Sequence, residues 1–219
     1  MKNPKILLFL VASLLFAPAA WCHTAVIELE KMSRAQAAWV YVRLGFEHIL
    51  PLGLDHILFV LSLFLLSPKL KPVLQQSLAF TVAHSITLGL AMCGFIQAPS
   101  AVVEPLISLS IAVMALENIF APRLRRSRIL VVFLFGLVHG LGFASSLSTM
   151  GLPRQAFFSS LLAFNAGVEL GQLAVILLAF LLVGKWFGHK AGYRRFVVIP
   201  ASAFIVLVAA VWTVQRVFF

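Results

Sequence analysis

Six apolar runs, at about 45–67, 73–95, 100–120, 128–150, 157–183 and 196–218, constrain this chain more than any other feature. Each is close to the roughly 20 residues that a helix needs to cross about 30 Å of hydrocarbon, and the fifth, being longer, is accommodated by tilt. Composition agrees. With 62% hydrophobic and 11% charged residues and a mean hydropathy of +1.04, the chain lies far from soluble domains, in which about a quarter of residues carry charge. The expected fold is all-α, a polytopic membrane helix bundle of six transmembrane helices, divisible as a 3+3 inverted repeat because three helices per half reverse the orientation of the second half.

The first residues have a different pattern. Lys2 and Lys5 precede a short apolar stretch from Ile6 to Phe16, then small residues around Pro18 to Ala20, which is the layout of a cleavable signal peptide over 1–22. Cleavage is expected between Ala20 and His23, after Ala20 or Cys22. Trp21 argues against a lipoprotein-type cut at Cys22, and an uncleaved anchor is the competing reading. Residues 23–44 are mixed in polarity, with Trp39 and Tyr41 placed as interfacial anchors, and read as a short outer segment before the transmembrane domain at 45–219. Counting loops from an outer N-terminus puts Lys69, Lys71, Arg123, Arg125, Arg126, Arg128, Lys185, Lys190, Arg194 and Arg195 inside, against Arg154 and Arg216 outside. That bias follows the positive-inside rule and leaves both mature termini outside; Lys31, Arg34 and Arg43 run against it, accompanied by Glu28, Glu30 and Glu47. The net charge of +10 therefore reports orientation in a bilayer and gives no reason to expect nucleic acid as a partner.

The acids and histidines carry the chemistry. Apart from Glu28 and Glu30, every acidic residue falls in or at the end of a run: Glu47, Asp55, Glu104, Glu117 and Glu169. His48, His56, His84 and His139 join them, and no lysine or arginine lies deep in any run. Carboxylates without basic partners imply an interior built for a cation. Asp55, His84, His139 and Glu169 all lie roughly 15 to 18 Å into their runs at 1.5 Å per residue, near the bilayer centre, where transporters place substrate sites. Ser77, Thr81 and His84 share one helical face, as do Asn165, Glu169 and Gln172, and Ser110, Met114 and Glu117. His48 stands two turns before Asp55 on the same face of a continuous helix, toward the outside. The expected centre is Asp55, His56, His84, His139 and Glu169. Glu104 and His48 draw the ion in from outside and Glu117 receives it near the inner side. Asn165, Gln172, Thr81 and Ser110 are polar companions. Other features have ordinary roles. Gly136 with Gly140, and Gly167 with Gly171, have the spacing of close helix packing, which would bring the His139 and Glu169 backbones together. Ser145 and Ser146 read as packing residues, His189 as solvated, and Cys93 as outside the site. Two cysteines supply neither a disulfide framework nor a thiolate-rich site.

The segments GFEHILPLGLDHILFVL, FTVAHSITLGLA, VVEPLISLSIAVMALEN, FLFGLVHGLGFASSL and FNAGVELGQLAVI, in this order over about 45–183, resemble the HupE/UreJ family of bacterial membrane proteins. The resemblance implies a small permease of the inner membrane associated with nickel or cobalt supplied to hydrogenase or urease maturation. Its motif residues carry over to His48, Asp55, His56, His84, Glu104, Glu117, His139 and Glu169. One departure is that His48 stands seven residues before Asp55, where part of the family has six, a rotation of about 100° on a helix.

The expected function is import of a divalent transition-metal ion, nickel before cobalt, with zinc also compatible with imidazole and carboxylate donors. Its partners are the ion itself and the lipid bilayer. The runner-up is an intramembrane zinc hydrolase using the same ligands to activate water, although no H-E-x-x-H helix is present. A third class, a haem-b electron carrier with two axial histidines, leaves the carboxylates unexplained.

Overall fold

The structure is a computed structural model and describes residues 33–121, 123–150 and 157–219. The expected signal peptide at 1–22, the first part of the outer segment and the Arg154 loop lie outside the described residues, as do the side chains of Ser145 and Ser146. Every regular element among the described residues is helical.

Helix α1 (Arg34–Ile49) opens on a reciprocal cap. Ser33 Oγ accepts from the Gln36 backbone N–H at 3.3 Å, and Gln36 Oε1 accepts from the Ser33 N–H at 2.9 Å, satisfying donors that a helix start otherwise leaves unpaired. The helix stops at Ile49 and α2 (Leu54–Leu66) starts after a four-residue turn, at 70° to it. The first expected span, 45–67, is therefore not one helix. Pro51 has no N–H to continue the ladder, and a Cβ on Gly53 would stand 2.0 Å from the His48 carbonyl oxygen. Hydropathy does not see such a break, because the residues around it are apolar.

Five further helices follow: α3 (Leu70–Met92), α4 (Ser100–Phe120), α5 (Arg128–Met150), α6 (Phe157–Ala179) and α7 (Ile199–Phe218). Helix α6 continues through a π turn at Phe180–Gly184 and a last turn at Lys185–Phe187, 31 residues in all. Another π turn, Arg194–Val198, leads into α7. Helix α5 is unbroken and has no counterpart to the α1–α2 turn.

The helices pack as three close pairs, α1 with α6, α3 with α5, and α4 with α7, with the short α2 among them. Glycines allow the first two pairs to approach. A Cβ on Gly136 or Gly140 would meet the carbonyl oxygens of Phe80 and His84 on α3 at 2.6 and 2.3 Å, and one on Gly167 would meet that of Val42 on α1 at 2.0 Å. Gly136 and Gly140 thus face α3 while Gly167 and Gly171 face α1. These glycines pack as expected, but against different partners, and they do not bring His139 to Glu169.

The bundle is polar inside and oily outside. On α3, Leu74, Leu78, Val82, Ile86 and Leu90 form an exposed row at four-residue spacing, whereas Ser77, Thr81, His84 and Thr87 are buried. Among the described residues, three helices are long and apolar enough to cross a membrane, at Ser100–Phe120, Phe157–Phe187 and Arg194–Phe218, and the bent α1–α2 pair makes a fourth span if it counts as one. Helix α3 falls short because its inward stripe spends so many positions on glutamine, serine, threonine and histidine.

One end of the bundle is pinned by arginine. The fully buried Arg128 donates to Glu117 Oε2 at 2.7 Å, Gln76 Oε1 at 3.0 Å, Asn118 Oδ1 at 3.0 Å and the Ser62 carbonyl at 3.2 Å. Arg194 caps the end of α4 by donating to the carbonyls of Asn118, Ile119 and Ala121, where the helix leaves acceptors unmatched. Asp55 also has a basic partner, Arg216. Three of the five acids expected to lack basic partners are therefore ion-paired: Glu47 with Arg43 one turn before it on α1, and Glu117 and Asp55 with arginines at helix ends that turn inward.

Candidate metal centre

The break between α1 and α2 creates the site. By turning the chain at Leu50–Gly53 it folds the end of α1 back toward the start of α2, so that His48 and His56 stand with ring centres 4.6 Å apart. His84 approaches from α3, at 6.1 Å from His48 and 5.9 Å from His56. One ring nitrogen from each of these three histidines lies within 4.8 Å of the others. His139 on α5 completes the group, its ring 5.1 Å from that of His56. His48, read from sequence as an outer residue on the Asp55 face, sits inside the cluster because its helix ends one residue later.

Buried polar atoms in proteins nearly always find a hydrogen-bond partner. Among the described residues, the buried side-chain nitrogens and oxygens lacking one are His48 Nε2, His56 Nε2, His84 Nδ1 and Nε2, His139 Nδ1, Asp55 Oδ1, Asn165 Oδ1 and Gln172 Nε2. All of them belong to residues singled out from the sequence. Such groups cost free energy in an apolar interior unless something else binds them.

Ser110 shows that at least one imidazole is set up as a donor. Its hydroxyl lies 2.6 Å from the Ile107 carbonyl, which can only accept, and 2.9 Å from His139 Nε2. With its single proton given to the carbonyl, Ser110 accepts from Nε2–H, so the Nδ1 lone pair of His139 is left free. Fixing a tautomer through the other ring nitrogen is how proteins orient metal-binding histidines.

A cavity of about 520 Å³ reaches this group from the end of the bundle that carries Glu47, Asp55, Glu104 and Arg216, and His48, His56 and His139 line it. Phe59 and Phe80, both buried, lie one turn from His56 and His84 on the far side. Their rings stand 4.9 Å apart and 5.1 and 5.0 Å from His139. They form a floor, and the Arg128 network lies beyond it.

The other expected residues are placed around this core. Thr81 donates to Glu169 Oε2 and Ser77 to Gln172 Oε1, each at 2.5 Å, so the polar stripes of α3 and α6 face one another. Asn165 Nδ2 is bound to the Leu161 carbonyl at 2.9 Å. Glu104 lines the cavity mouth, Glu117 lies at the opposite end on Arg128, and Cys93 is exposed beyond α3. His189 is exposed, as expected. Sequence reasoning missed Arg216 and Phe143, whose ring centre is 3.8 Å from that of His48. The signal available for Arg216 was a lone basic residue close to the end of an apolar run.

The described residues form an all-helical bundle with helices apolar enough to cross a membrane and imidazoles grouped at the bottom of a polar-mouthed cavity, the class of a helical membrane protein. The profile described as HupE / UreJ protein matches residues 23–216, and the chain belongs to that family. Comparison with curated proteins and with solved structures finds no match.

Proposed function

We propose that this protein carries a divalent transition-metal ion, nickel first and cobalt second, across the bacterial inner membrane, binding it between His48, His56, His84 and His139 with Asp55 at the cavity side. The HupE/UreJ family is linked to nickel and cobalt handling. The observation that carries the reading is the set of buried imidazole nitrogens without protein partners. Two nitrogens on one ion, each about 2.1 Å from it, stand at most about 4.2 Å apart. His48, His56 and His84 each offer a donor within 4.8 Å of the others, so these three close on one ion with side-chain shifts below about 1 Å, and His139 joins them by a further movement. Neutral nitrogen and carboxylate oxygen without thiolate suit nickel and cobalt. Glu169, held by Thr81, serves the ion after it passes His84, and Glu104 and Glu47 draw it to the mouth.

Six crossings fit this reading. The α1–α2 pair makes one, α3 presents its aliphatic row to lipid, and α5 spans 23 residues, about 35 Å at 1.5 Å per residue. The Arg128 end, beside the basic loops, then faces the cytoplasm, the cavity opens outward, and the first 22 residues serve as a leader, in keeping with a family match that starts at residue 23. Import means that the ion enters from the cavity side and leaves past the aromatic floor after a conformational change.

Uptake of radioactive nickel, cobalt and zinc into proteoliposomes tests this. Wild type is expected to accumulate nickel or cobalt, and His84→Ala and Glu169→Gln to lower the initial rate by about tenfold or more, the scale seen when a metal site loses a donor or its support. Equal counts in all three proteins would remove the reading.

A further inference from the structure

Arg216 extends from the last turns of α7 into the mouth of the histidine cavity. Its Nη2 donates to Asp55 Oδ2 at 2.9 Å and its Nη1 to the Glu104 backbone carbonyl at 3.2 Å, while the guanidinium carbon lies 5.5 Å from the centre of the Trp212 ring. The Arg216 and Asp55 side chains are only 24% and 27% exposed. Asp55 thus has one oxygen on a fixed cation and the other, Oδ1, buried without a protein partner in a cavity it lines together with His48 and His56. A carboxylate already held by a guanidinium is a poorer donor to a second cation, and two positive charges a few ångströms apart repel. Arginine stays charged at any physiological pH, so this competition cannot be relieved by deprotonation.

We propose that Arg216 is a tethered competitor for the transported ion: the guanidinium and the divalent metal exchange on Asp55, so that Arg216 sets how tightly the ion is held and how readily it is released. The proposal rests on the metal-transport reading and adds a specificity-determining residue to it. A hard carboxylate contact that costs a displaced arginine contributes little net affinity. Selection then falls to the imidazoles, which favour nickel and cobalt over magnesium and calcium.

Calorimetric titration of the purified full-length protein with cobalt and nickel chloride tests it. Arg216→Gln is expected to bind either ion about fivefold more tightly, the equilibrium equivalent of a partly exposed ion pair, and to turn over more slowly in proteoliposomes at saturating ion. Arg216→Lys, which keeps the charge, is expected to stay close to wild type. Trp212→Leu leaves both charges in place but loosens the guanidinium, and is expected to tighten binding by about twofold; it serves as the second measurement should Arg216→Gln not fold. Unchanged or weaker binding in Arg216→Gln or Trp212→Leu overturns the proposal, as does Arg216→Lys binding as tightly as Arg216→Gln. Absence of saturable binding by wild type would instead remove the metal site itself.

Discussion

Gly53 gives the sharpest test of the claim that the broken helix makes the site. An added Cβ would lie 2.0 Å from the His48 carbonyl oxygen and 3.2 Å from the Ile49 Cα, and both obstacles are backbone. Reaching ordinary contact at 3.4 Å requires the end of α1 and the start of α2 to separate by about 1.4 Å, since overlap this deep outweighs any dispersion gain. His48 and His56 stand on either side of that joint. A separation of this size exceeds the few tenths of an ångström that metal–ligand distances tolerate, so one of the two imidazoles is lost to the ion. Gly53→Ala is therefore expected to weaken nickel and cobalt binding by about tenfold to a hundredfold with helical content unchanged. Equilibrium dialysis with radioactive nickel, run beside far-ultraviolet circular dichroism, reads both quantities. Wild-type affinity in a folded Gly53→Ala protein would refute the reasoning, because it would mean that His48 and His56 need not be held by this turn.

Two further predictions concern the supports around the centre. Arg128→Met strands Glu117, Gln76 Oε1 and Asn118 Oδ1, which the guanidinium now binds, and is expected to cost about 3 to 5 kcal/mol, seen as a lower unfolding temperature in detergent; an unchanged melting curve would show that the network is not structural. Ser110→Ala removes the acceptor that holds His139 Nε2–H, and is expected to weaken metal binding by about tenfold while leaving the melting temperature close to wild type. Calorimetry showing no loss of affinity would remove His139 from the ligand set.

Much of the site was legible in the sequence because its residues obey the helical period. Ser77 and Thr81 on α3 meet Gln172 and Glu169 on α6, as two inward stripes of matched spacing should. The limits of α3, α4 and α5 follow the apolar runs to within a few residues. Two things were hidden, each for a physical reason. The turn at Leu50–Gly53 lies in residues as apolar as the helices beside it, so only Pro51 and Gly53 betrayed it, and missing it placed His48 on the wrong face. The ion pairs were hidden because Arg128 and Arg216 lie at or near helix ends, where a long basic side chain usually turns outward to the headgroups, whereas here the two turn inward to Glu117 and Asp55.

The aromatic floor has a consequence for the host cell. Phe59 and Phe80 stand against His139 with the Arg128 network behind them, so among the described residues an apolar layer lies between the cavity and the basic end of the bundle. On the transport proposed above, an ion would pass only when these rings part, and the membrane would stay sealed to protons between such events.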